Sequence, residues 1–250
     1  MENAGGSLGG RTALVTGAAR RIGRTIALTL AQHGADVVVH YHQSAEKALA
    51  LCEEIRRLGV RAWPIRGDLM DGTQVQKIFR EGVAQAGAID ILVNNASIFE
   101  RDTLWEATAE SLEKNLRIHA TAPLLLAREL AGQGRAGHII NLLDTRVAVF
   151  DPEHASYNLS KSMLLTLTRM LALELAPQVA VNGIAPGAIL PPSGSGADYR
   201  KKQTFANPLN RHGDPEDITE ATLFLVRSRF ITGQVIYVDG GMHMKGRLHD

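Results

Sequence analysis

The stretch "TALVTGAARRIG", residues 12–23, decides the fold of this chain. An aliphatic, β-branched run ends at Thr16, glycines follow at Gly17 and Gly23, and a helical pattern begins at residue 21. In a turn between a strand and a helix, backbone N–H groups and the helix dipole can hold a pyrophosphate. The spacing is not GxGxxG, however, and a glycine pair at such a turn can also be ordinary turn punctuation. The rest of the chain must decide between these interpretations.

The alternation of strand and helix continues along the chain. The strand-like runs are "TALVT", "DVVVHY", "RAWPIR", "IDILVNN", "HIINLL", "VAVNGI" and "QVIYVDGG". Helical patterns follow at 21–33, 44–58, 73–86, 108–131, 154–176 and 214–227. Seven strands separated by helices predict a parallel sheet covered on both faces, because right-handed crossovers place helices there. We predict a single α/β domain over residues 11–250, a doubly wound Rossmann-type fold with a seven-stranded parallel sheet, after a flexible N-terminus at residues 1–10.

One connection is far longer than the others. Residues 186–213, "PGAILPPSGSGADYRKKQTFANPLNRHG", exceed an ordinary strand-to-helix loop in a compact domain. The segment follows a strand, and doubly wound domains bind their ligands at the carboxyl ends of strands. It is therefore predicted to form a lid over the substrate.

The composition excludes several classes of protein. The 27 basic and 26 acidic residues nearly cancel, which argues against nucleic acid as a partner, although Arg20, Arg21 and Arg24 form a small basic cluster. The single cysteine, Cys52, cannot form an intramolecular disulfide and has no CxxC partner. The start "MENAGGSLGG" has no signal-peptide pattern, and no apolar run reaches the roughly 18 residues of a membrane span. We expect a soluble cytoplasmic protein with no metal site and no membrane partner.

The helical pattern at 154–176 is apolar on nearly every side. At helical pitch its apolar side chains point around most of the circumference: Met163, Leu164, Leu165, Leu167, Met170, Leu171, Leu173 and Leu175. One face can cover the sheet, but a helix that is apolar all round needs a second partner. The pattern therefore predicts a homo-oligomer formed through this helix. Alternatively, the neighbouring helix at 108–131 covers the remainder within one subunit.

The end of the second strand bears on the choice of nicotinamide cofactor. An enzyme that selects NAD usually ends this strand on an acid, which accepts a hydrogen bond from the ribose 2′-hydroxyl. Here "VVVHYHQSAE" has no acid before Glu46, and His42, Ser44 and the nearby Arg20 can receive a 2′-phosphate. This favours NADPH over NADH. Alternatively, His40 and His42 simply end a strand and Ser44 simply caps a helix.

"YNLSK" places Tyr157 and Lys161 four residues apart, on one face of a helix. A nearby cation stabilises phenolate, which lowers a tyrosine pKa from about 10 toward the working range of a proton donor. Alone, such a pair is no more than a common surface arrangement. It gains weight from the glycine turn, from "NNAS" after the fourth strand and from "PG" after the sixth.

From Arg11 to Gly241 the chain resembles the short-chain dehydrogenase/reductase family, because "TGAARRIG", "GDL", "NNAS", "YNLSK", "APG" and "DGG" occur in family order. The resemblance implies hydride transfer from a nicotinamide and a homotetramer, with Tyr157 as proton donor and Lys161 on the nicotinamide ribose. It also implies these cofactor contacts: Gly17, Arg20, Arg21, Ile22 and Gly23 in the turn; Asp68, Leu69, Asn95, Ala96 and Ser97 on the adenosine side; Pro186, Gly187 and Ile189 near the nicotinamide.

The departures from the family pattern converge on one pocket. The family usually has Gly at Arg21 and Ser97, Ser at Asp144, and Asn at His119. The Asp144 position and the Arg21 change resemble pteridine reductases and dihydromonapterin reductases, and the latter also have His at the position of His119. The chain differs from pteridine reductases in Gln43, where an arginine would help hold the 2′-phosphate.

Asp144 is an unexpected residue beside a carbonyl substrate. A ketone oxygen gains negative charge as hydride arrives, and an ionised carboxylate would repel that charge. A pterin instead offers a C=N nitrogen that must gain a proton and an aminopyrimidine edge of N–H donors. We therefore predict NADPH-dependent reduction of a dihydropterin or dihydrofolate, with Asp144 feeding protons to Tyr157 or holding the amino edge.

Other residues are expected to bind this substrate. Phe99 is placed to stack on a flat ring, Ser97 lies beside it, and Arg21 can bridge the cofactor phosphate and the pterin edge. Alternatively, Phe99 packs on its own subunit and Arg21 is solvated. His119 either orders a water or carbonyl near Lys161 or is a satisfied interior histidine.

Two other functions remain to be weighed. The first is a 3-oxoacyl-carrier-protein reductase, or another carbonyl or alcohol oxidoreductase, since a fold does not fix the substrate. Asp144 and Arg21 argue against it, whereas Arg200, Lys201 and Lys202 in the lid supply a basic surface that an acidic carrier protein would need. The second is a non-catalytic NADPH-binding oligomer, which the intact Tyr157 and Lys161 argue against.

Overall fold

The computed structural model describes residues 7–149, 151–190 and 207–245, and its strands form the predicted sheet. The seven strands pair in parallel in the order β3-β2-β1-β4-β5-β6-β7. Their bounds are β1 Thr12–Val15, β2 Asp36–Tyr41, β3 Ala62–Arg66, β4 Ile91–Asn94, β5 Gly137–Leu142, β6 Val179–Pro186 and β7 Val235–Val238. The predicted fold class is confirmed. The strand order reverses between β1 and β4, and a doubly wound sheet opens its ligand crevice at that point.

The helices also follow the sequence pattern closely. Their bounds are α1 Arg21–Gln32, α2 Ala45–Arg57, α3 Gly72–Ala86, α4 Ala109–Leu116, α5 Ala122–Ala131, α6 Ala155–Glu174, α7 Pro215–Arg227 and α8 Met242–Lys245. The segment predicted as one helix at 108–131 is divided by a π-helical turn, Arg117–Thr121, between α4 and α5. Such turns are frequent at functional sites, and this one carries His119.

Two apolar layers hold the helices against the sheet. Alternate side chains of a strand point to opposite faces, so Val37 and Val39 join one layer while Val38 joins the other. The first layer includes residues of α1, α2 and α7, and the second includes residues of α3, α5 and α6. The inner strands are almost completely buried, as expected for a parallel sheet with helices on both faces, whereas the edge strands β3 and β7 are partly exposed.

The structure describes the last four residues of the segment predicted as a flexible N-terminus, residues 1–10. Leu8 is 1% exposed, and its N–H donates to the carbonyl of His33 at 2.8 Å. Burial of this one leucine in the first apolar layer fixes the segment before β1. Residues 1–6 lie outside the described part, as do residues 191–206 of the predicted lid, which include Arg200, Lys201 and Lys202.

One side of α6 is apolar and exposed in the single chain. Leu164 and Leu171 are buried, but four apolar side chains of the helix are about half exposed or more: Leu159, Met163, Met170 and Leu173. The alternative in which the helix at 108–131 covers them is therefore wrong. Their exposure is what the predicted homo-oligomer requires. No helix in the described ranges is both long and apolar enough to cross a bilayer.

Candidate active site

Two glycines shape the turn after β1. A Cβ at Gly23 would lie 2.4 Å from Nδ2 of Asn95 and 2.6 Å from the carbonyl oxygen of Gly17. Gly17 has φ +63°, and a Cβ on it would lie 3.0 Å from Cα of Ala96. Side chains are therefore excluded at both positions, which lets the turn lie against the end of β4 with its backbone open to the cleft. These residues fit a nucleotide pyrophosphate, as the sequence predicted.

Arg21 occupies a left-handed backbone position in the same turn. Its φ is +56°, a region that costs an ordinary residue roughly 1–2 kcal/mol and that glycine enters freely. The side chain borders both halves of the cleft, and its Nη2 donates to the carbonyl of Leu190 at 3.4 Å. An arginine held in a glycine position at the meeting point of two binding regions is consistent with the predicted contact to phosphate and substrate.

His40 joins the pyrophosphate turn to the adenosine side of the cleft, a role that the sequence pattern did not indicate. The N–H of Gly17 donates to Nδ1 of His40 at 3.1 Å, and Nε2 donates to the carbonyl of Gly67 at 3.1 Å. These contacts require the neutral Nε2–H tautomer. Burial lowers the pKa of His40 from 6.5 to about 4, which agrees with a neutral ring. His40 therefore does more than end a strand.

This buried histidine predicts a pH-dependent stability. The unfolded chain binds a proton at His40 near pH 6.5, but the folded chain binds it only near pH 4. The contribution of the neutral ring to the free energy of unfolding is therefore fully present above pH 6.5. It is lost as the pH decreases to about 4, by roughly 3 kcal/mol. His40→Leu should unfold about 1–3 kcal/mol more easily at pH 7, because the Gly17 N–H and the Gly67 carbonyl lose their partner. Between pH 7 and 5 its stability should fall less steeply than that of the wild type. Urea titrations of both proteins at pH 7 and pH 5 test this. An equal loss of unfolding free energy in the variant and the wild type between these pH values would contradict it.

The adenosine side of the cleft lacks the acid typical of NAD enzymes. The residues that line it include Arg20, His42, Gln43, Ser44, Asp68, Leu69 and Ala96. Ser44 is the N-cap residue of α2, but its side chain makes no capping hydrogen bond. Nε2 of His42 lies 3.9 Å from a carboxylate oxygen of Asp68. The interpretation of Ser44 as a simple cap is therefore not supported, and the residue borders the cleft with the basic residues.

Tyr157 and Asp144 are in direct contact. The phenol of Tyr157, on α6, donates to Oδ2 of Asp144, just beyond β5, at 2.9 Å. Burial and the Asp144 charge raise the pKa of Tyr157 well above 10. The sequence interpretation, in which Lys161 lowers that pKa, does not hold for the chain alone, because burial and the carboxylate outweigh the lowering by Arg146 and Ser97. Tyr157 is therefore held as a protonated phenol.

Lys161 lies beneath the tyrosine ring. Its Nζ donates to the carbonyl of Leu142 at 2.6 Å and lies 5.6 Å from the centroid of Tyr157. Burial lowers the pKa of Lys161 to about 8. The ammonium is one helical turn from Tyr157, as predicted, and it borders the same cleft.

Arg146 is the main residue that the sequence interpretation missed. Its Nη1 lies 3.2 Å from each carboxylate oxygen of Asp144, its backbone N–H donates to Oδ1 of Asp144 at 2.8 Å, and its Nε donates to Asp151 at 2.7 Å. Burial lowers the pKa of Arg146, but Asp144 and Asp151 outweigh that effect and raise it. Asp144 is therefore part of an ion pair, and Arg146 offsets its charge. Thr145 fixes this turn from below by donating to the buried Asp239 at 2.6 Å.

His119 is a satisfied interior histidine. Its Nε2 lies 2.9 Å from the hydroxyl of Ser97 and its Nδ1 lies 2.8 Å from the hydroxyl of Ser160. The Ser160 hydroxyl in turn donates to the carbonyl of Tyr157 at 2.7 Å. Burial and the nearby Lys161 keep the pKa of His119 well below 6.5. The neutral ring therefore connects Ser97 to the tyrosine backbone, and this agrees with the second of the two predicted roles.

Phe99 lies at the pocket but contacts other side chains of its own subunit. Its ring stacks on His154 with centroids 4.0 Å apart and meets Tyr157 edge-on at 4.8 Å. The guanidinium carbon of Arg146 lies over the ring, 5.0 Å from its centroid. Stacking of a substrate ring on Phe99 stays a prediction.

The structure brings the predicted residues into two adjoining regions of one cleft. The inner region is lined by Ser97, Phe99, Asp144, Tyr157, Lys161, Pro186, Gly187 and Ile189. The outer region is lined by Gly17, Arg20, Gly23, His42, Ser44, Asp68, Leu69 and Ala96. Arg21, Ile22, Asn95 and Ser97 border both. The arrangement suits a long two-part cofactor whose inner end lies beside a phenol, an ammonium and a neutralised carboxylate.

Comparison with known proteins agrees with this geometry. A family model described as enoyl-(acyl carrier protein) reductase matches residues 17–243. The chain therefore belongs to the short-chain dehydrogenase/reductase family. The 3-oxoacyl-acyl-carrier-protein reductase FabG of Staphylococcus aureus is 39% identical over 249 residues, which cover 94% of this chain and 98% of that one.

Two solved structures with similar folds differ in their reactions. FolM alternative dihydrofolate reductase 1 from Brucella canis, solved with NADP, is 34% identical with a TM-score of 0.87, over 94% of this chain and 95% of that one. The angucycline C-6 ketoreductase LanV, solved with bound NADP, is 30% identical with a TM-score of 0.88, over 96% and 98% of the two chains. Similarity of the whole chain therefore does not decide between a pterin and a ketone, and the pocket residues must be considered.

Proposed function

We propose that this protein reduces a C=N bond of a dihydropterin or dihydrofolate to the tetrahydro form with NADPH. The NADPH assignment is supported by the glycine turn, by the absence of an acid at the end of β2, and by relatives solved with NADP. The turn from Gly17 to Gly23 would hold the pyrophosphate, and Arg20, His42 and Ser44 would face the 2′-phosphate. When bound, the cofactor supplies the hydride.

The observation that carries the proposal is the hydrogen bond from Tyr157 to Asp144. A phenol with a raised pKa stays protonated at neutral pH and can give its proton to a ring nitrogen as negative charge develops there. Asp144 then lies within reach to take up a proton from solvent and pass it to the phenolate oxygen, which restores both groups. Lys161, a cation below the ring, stabilises the transient phenolate.

The walls of the inner region suit a flat substrate with hydrogen-bonding edges. Phe99 offers an aromatic surface, and Arg21 can contact both the cofactor phosphate and the oxygen or nitrogen edge of the ring. We also propose that the protein is a homotetramer, with the exposed apolar side of α6 as one of its contact surfaces.

Carbonyl reduction is the second candidate, because Arg146 offsets the charge of Asp144. A developing alkoxide would then meet an ion pair instead of a bare carboxylate, so electrostatic repulsion is weaker than the sequence suggested. The identity to the FabG reductase of S. aureus supports this candidate as well. A non-catalytic oligomer is not favoured, because Tyr157 and Lys161 are both buried in the cleft.

The two candidates are separated by a substrate panel. NADPH oxidation should be measured with dihydrobiopterin, dihydromonapterin and dihydrofolate, beside an acetoacetyl thioester, at matched concentrations. We expect a kcat/KM for at least one pterin that exceeds the thioester value by about a hundredfold or more. Turnover of the thioester with no pterin turnover would overturn the proposed substrate and leave the fold assignment intact.

A further inference from the structure

The guanidinium of Arg146 occupies the polar wall of the inner region. It lies 3.2 Å from both carboxylate oxygens of Asp144, and its Nε is held by Asp151 at 2.7 Å. The side chains of Arg146, Asp144 and Asp151 are 19%, 15% and 18% exposed. This is a largely buried ion-pair network in which one arginine connects two carboxylates. Arg146 itself borders the cleft.

The same guanidinium also covers an aromatic surface. It lies over the ring of Phe99 at 5.0 Å, and His154 stacks on that ring at 4.0 Å. His154 is itself 2.9 Å from the Asp151 carboxylate that holds Arg146. The proposed flat substrate would need both the Asp144 carboxylate and the Phe99 ring, and Arg146 contacts both of them in the structure.

The guanidinium of Arg146 and the aminopyrimidine edge of a pterin have similar chemistry. A guanidinium is a planar N–C(N)–N unit that donates N–H groups to carboxylates and stacks on aromatic rings. The 2-aminopyrimidine edge of a pterin contains the same planar N–C(N)–N unit with outward N–H donors. The reacting ketone and thioester groups present only carbonyl acceptors, so they have no donor edge to exchange for the arginine.

We propose that Arg146 is a specificity-determining residue that occupies the place of a guanidine-type substrate edge. A ligand with this edge displaces Arg146 from Asp144 and Phe99. A ligand without the edge leaves Arg146 paired with Asp144. The inference rests on the proposed function and names the part of the substrate that this pocket recognises.

Removal of an internal competitor strengthens binding of the external ligand. The apparent affinity of a ligand is reduced by the fraction of protein that is not competent to bind it. Arg146→Met, which keeps the length of the chain but lacks the donors, should therefore bind 2,4-diaminopyrimidine about tenfold more tightly than the wild type. Titration calorimetry on protein saturated with NADP⁺ measures this affinity without turnover.

Three further variants sharpen the test. Arg101→Met is the matched control, because Arg101 forms an exposed ion pair with Glu153, and its affinity should equal that of the wild type. The double variant that carries both Arg146→Met and Asp144→Asn should lose the gain in affinity for 2,4-diaminopyrimidine. Asp151→Asn loosens one anchor of Arg146, so it should shift the affinity in the same direction by a smaller factor, and it serves if Arg146→Met does not fold.

The possible results separate this inference from the proposed function. Weaker or unchanged binding in Arg146→Met would mean that Arg146 binds the ligand or acts elsewhere, and would overturn the inference. Tighter binding of 2,4-diaminopyrimidine by a protein that turns over no pterin would uphold the inference and reject the proposed substrate. Pterin turnover by the wild type, together with weaker binding of 2,4-diaminopyrimidine in Arg146→Met, would uphold the proposed substrate and reject the inference.

Discussion

Tyr157→Phe is expected to lower kcat about a thousandfold, whichever substrate the enzyme reduces, because the change removes the proton donor and little else. The phenol is buried, it donates to Asp144 at 2.9 Å, and its pKa is raised by burial and by that carboxylate. Phenylalanine keeps the ring and its contacts with Phe99 and His119. The affinity for NADPH should therefore change by less than about threefold.

The measurement is steady-state NADPH oxidation together with NADPH titration by fluorescence. Tyr237→Phe is the matched control, because the ring of Tyr237 stacks on His243 and does not border the cleft. It should retain wild-type kcat. If Tyr157→Phe keeps more than about a tenth of the activity, another group delivers the proton and the assignment of Tyr157 fails.

Most of the fold and much of the site could be predicted because their signals are local. The alternation of β-branched runs with amphipathic helices gives the sheet, and a pair such as Tyr157 and Lys161 lies on one helical face by spacing alone. The buried Leu8 was missed because a glycine-rich stretch predicts a loose chain, and only packing against α1 fixes it.

Electrostatic properties of the site could not be predicted, because they depend on side chains that meet only in three dimensions. Lys161 alone predicts a lowered pKa for Tyr157, but burial and Asp144 reverse the direction. The sequence indicates only that His40 ends a strand, whereas in the structure its ring lies between two loops. Arg146 follows Asp144 by two residues, a spacing that carries no signal in a loop, and Asp151 completes the network from a later turn.

The ion pair with Arg146 changes the effect that Asp144 is expected to have on substrate choice. From the sequence, a bare carboxylate would exclude a ketone by repulsion. In the structure the carboxylate is paired, so repulsion is reduced, and its importance lies in the hydrogen bonds that it can accept. Asp144 then discriminates between an imine and a ketone in one of two ways. Either the imine reaction needs a proton returned to Tyr157, or the imine substrate has an edge of N–H donors that Asp144 holds in place.

Asp144→Ser is therefore expected to reduce kcat/KM for a dihydropterin by about a hundredfold or more and to change that for an acetoacetyl thioester by less than about threefold. Serine restores the neutral donor typical of the family at this position, which suits a developing alkoxide, but it cannot return a proton or accept two N–H donors. Arg146 keeps its bond to Asp151, so the turn should remain folded. The same assay measures both substrates, and a urea titration of the variant controls for general damage to the turn. Undiminished pterin reduction in Asp144→Ser would rule out both roles of the carboxylate, whereas equal losses for both substrates would indicate that Asp144 only positions Tyr157.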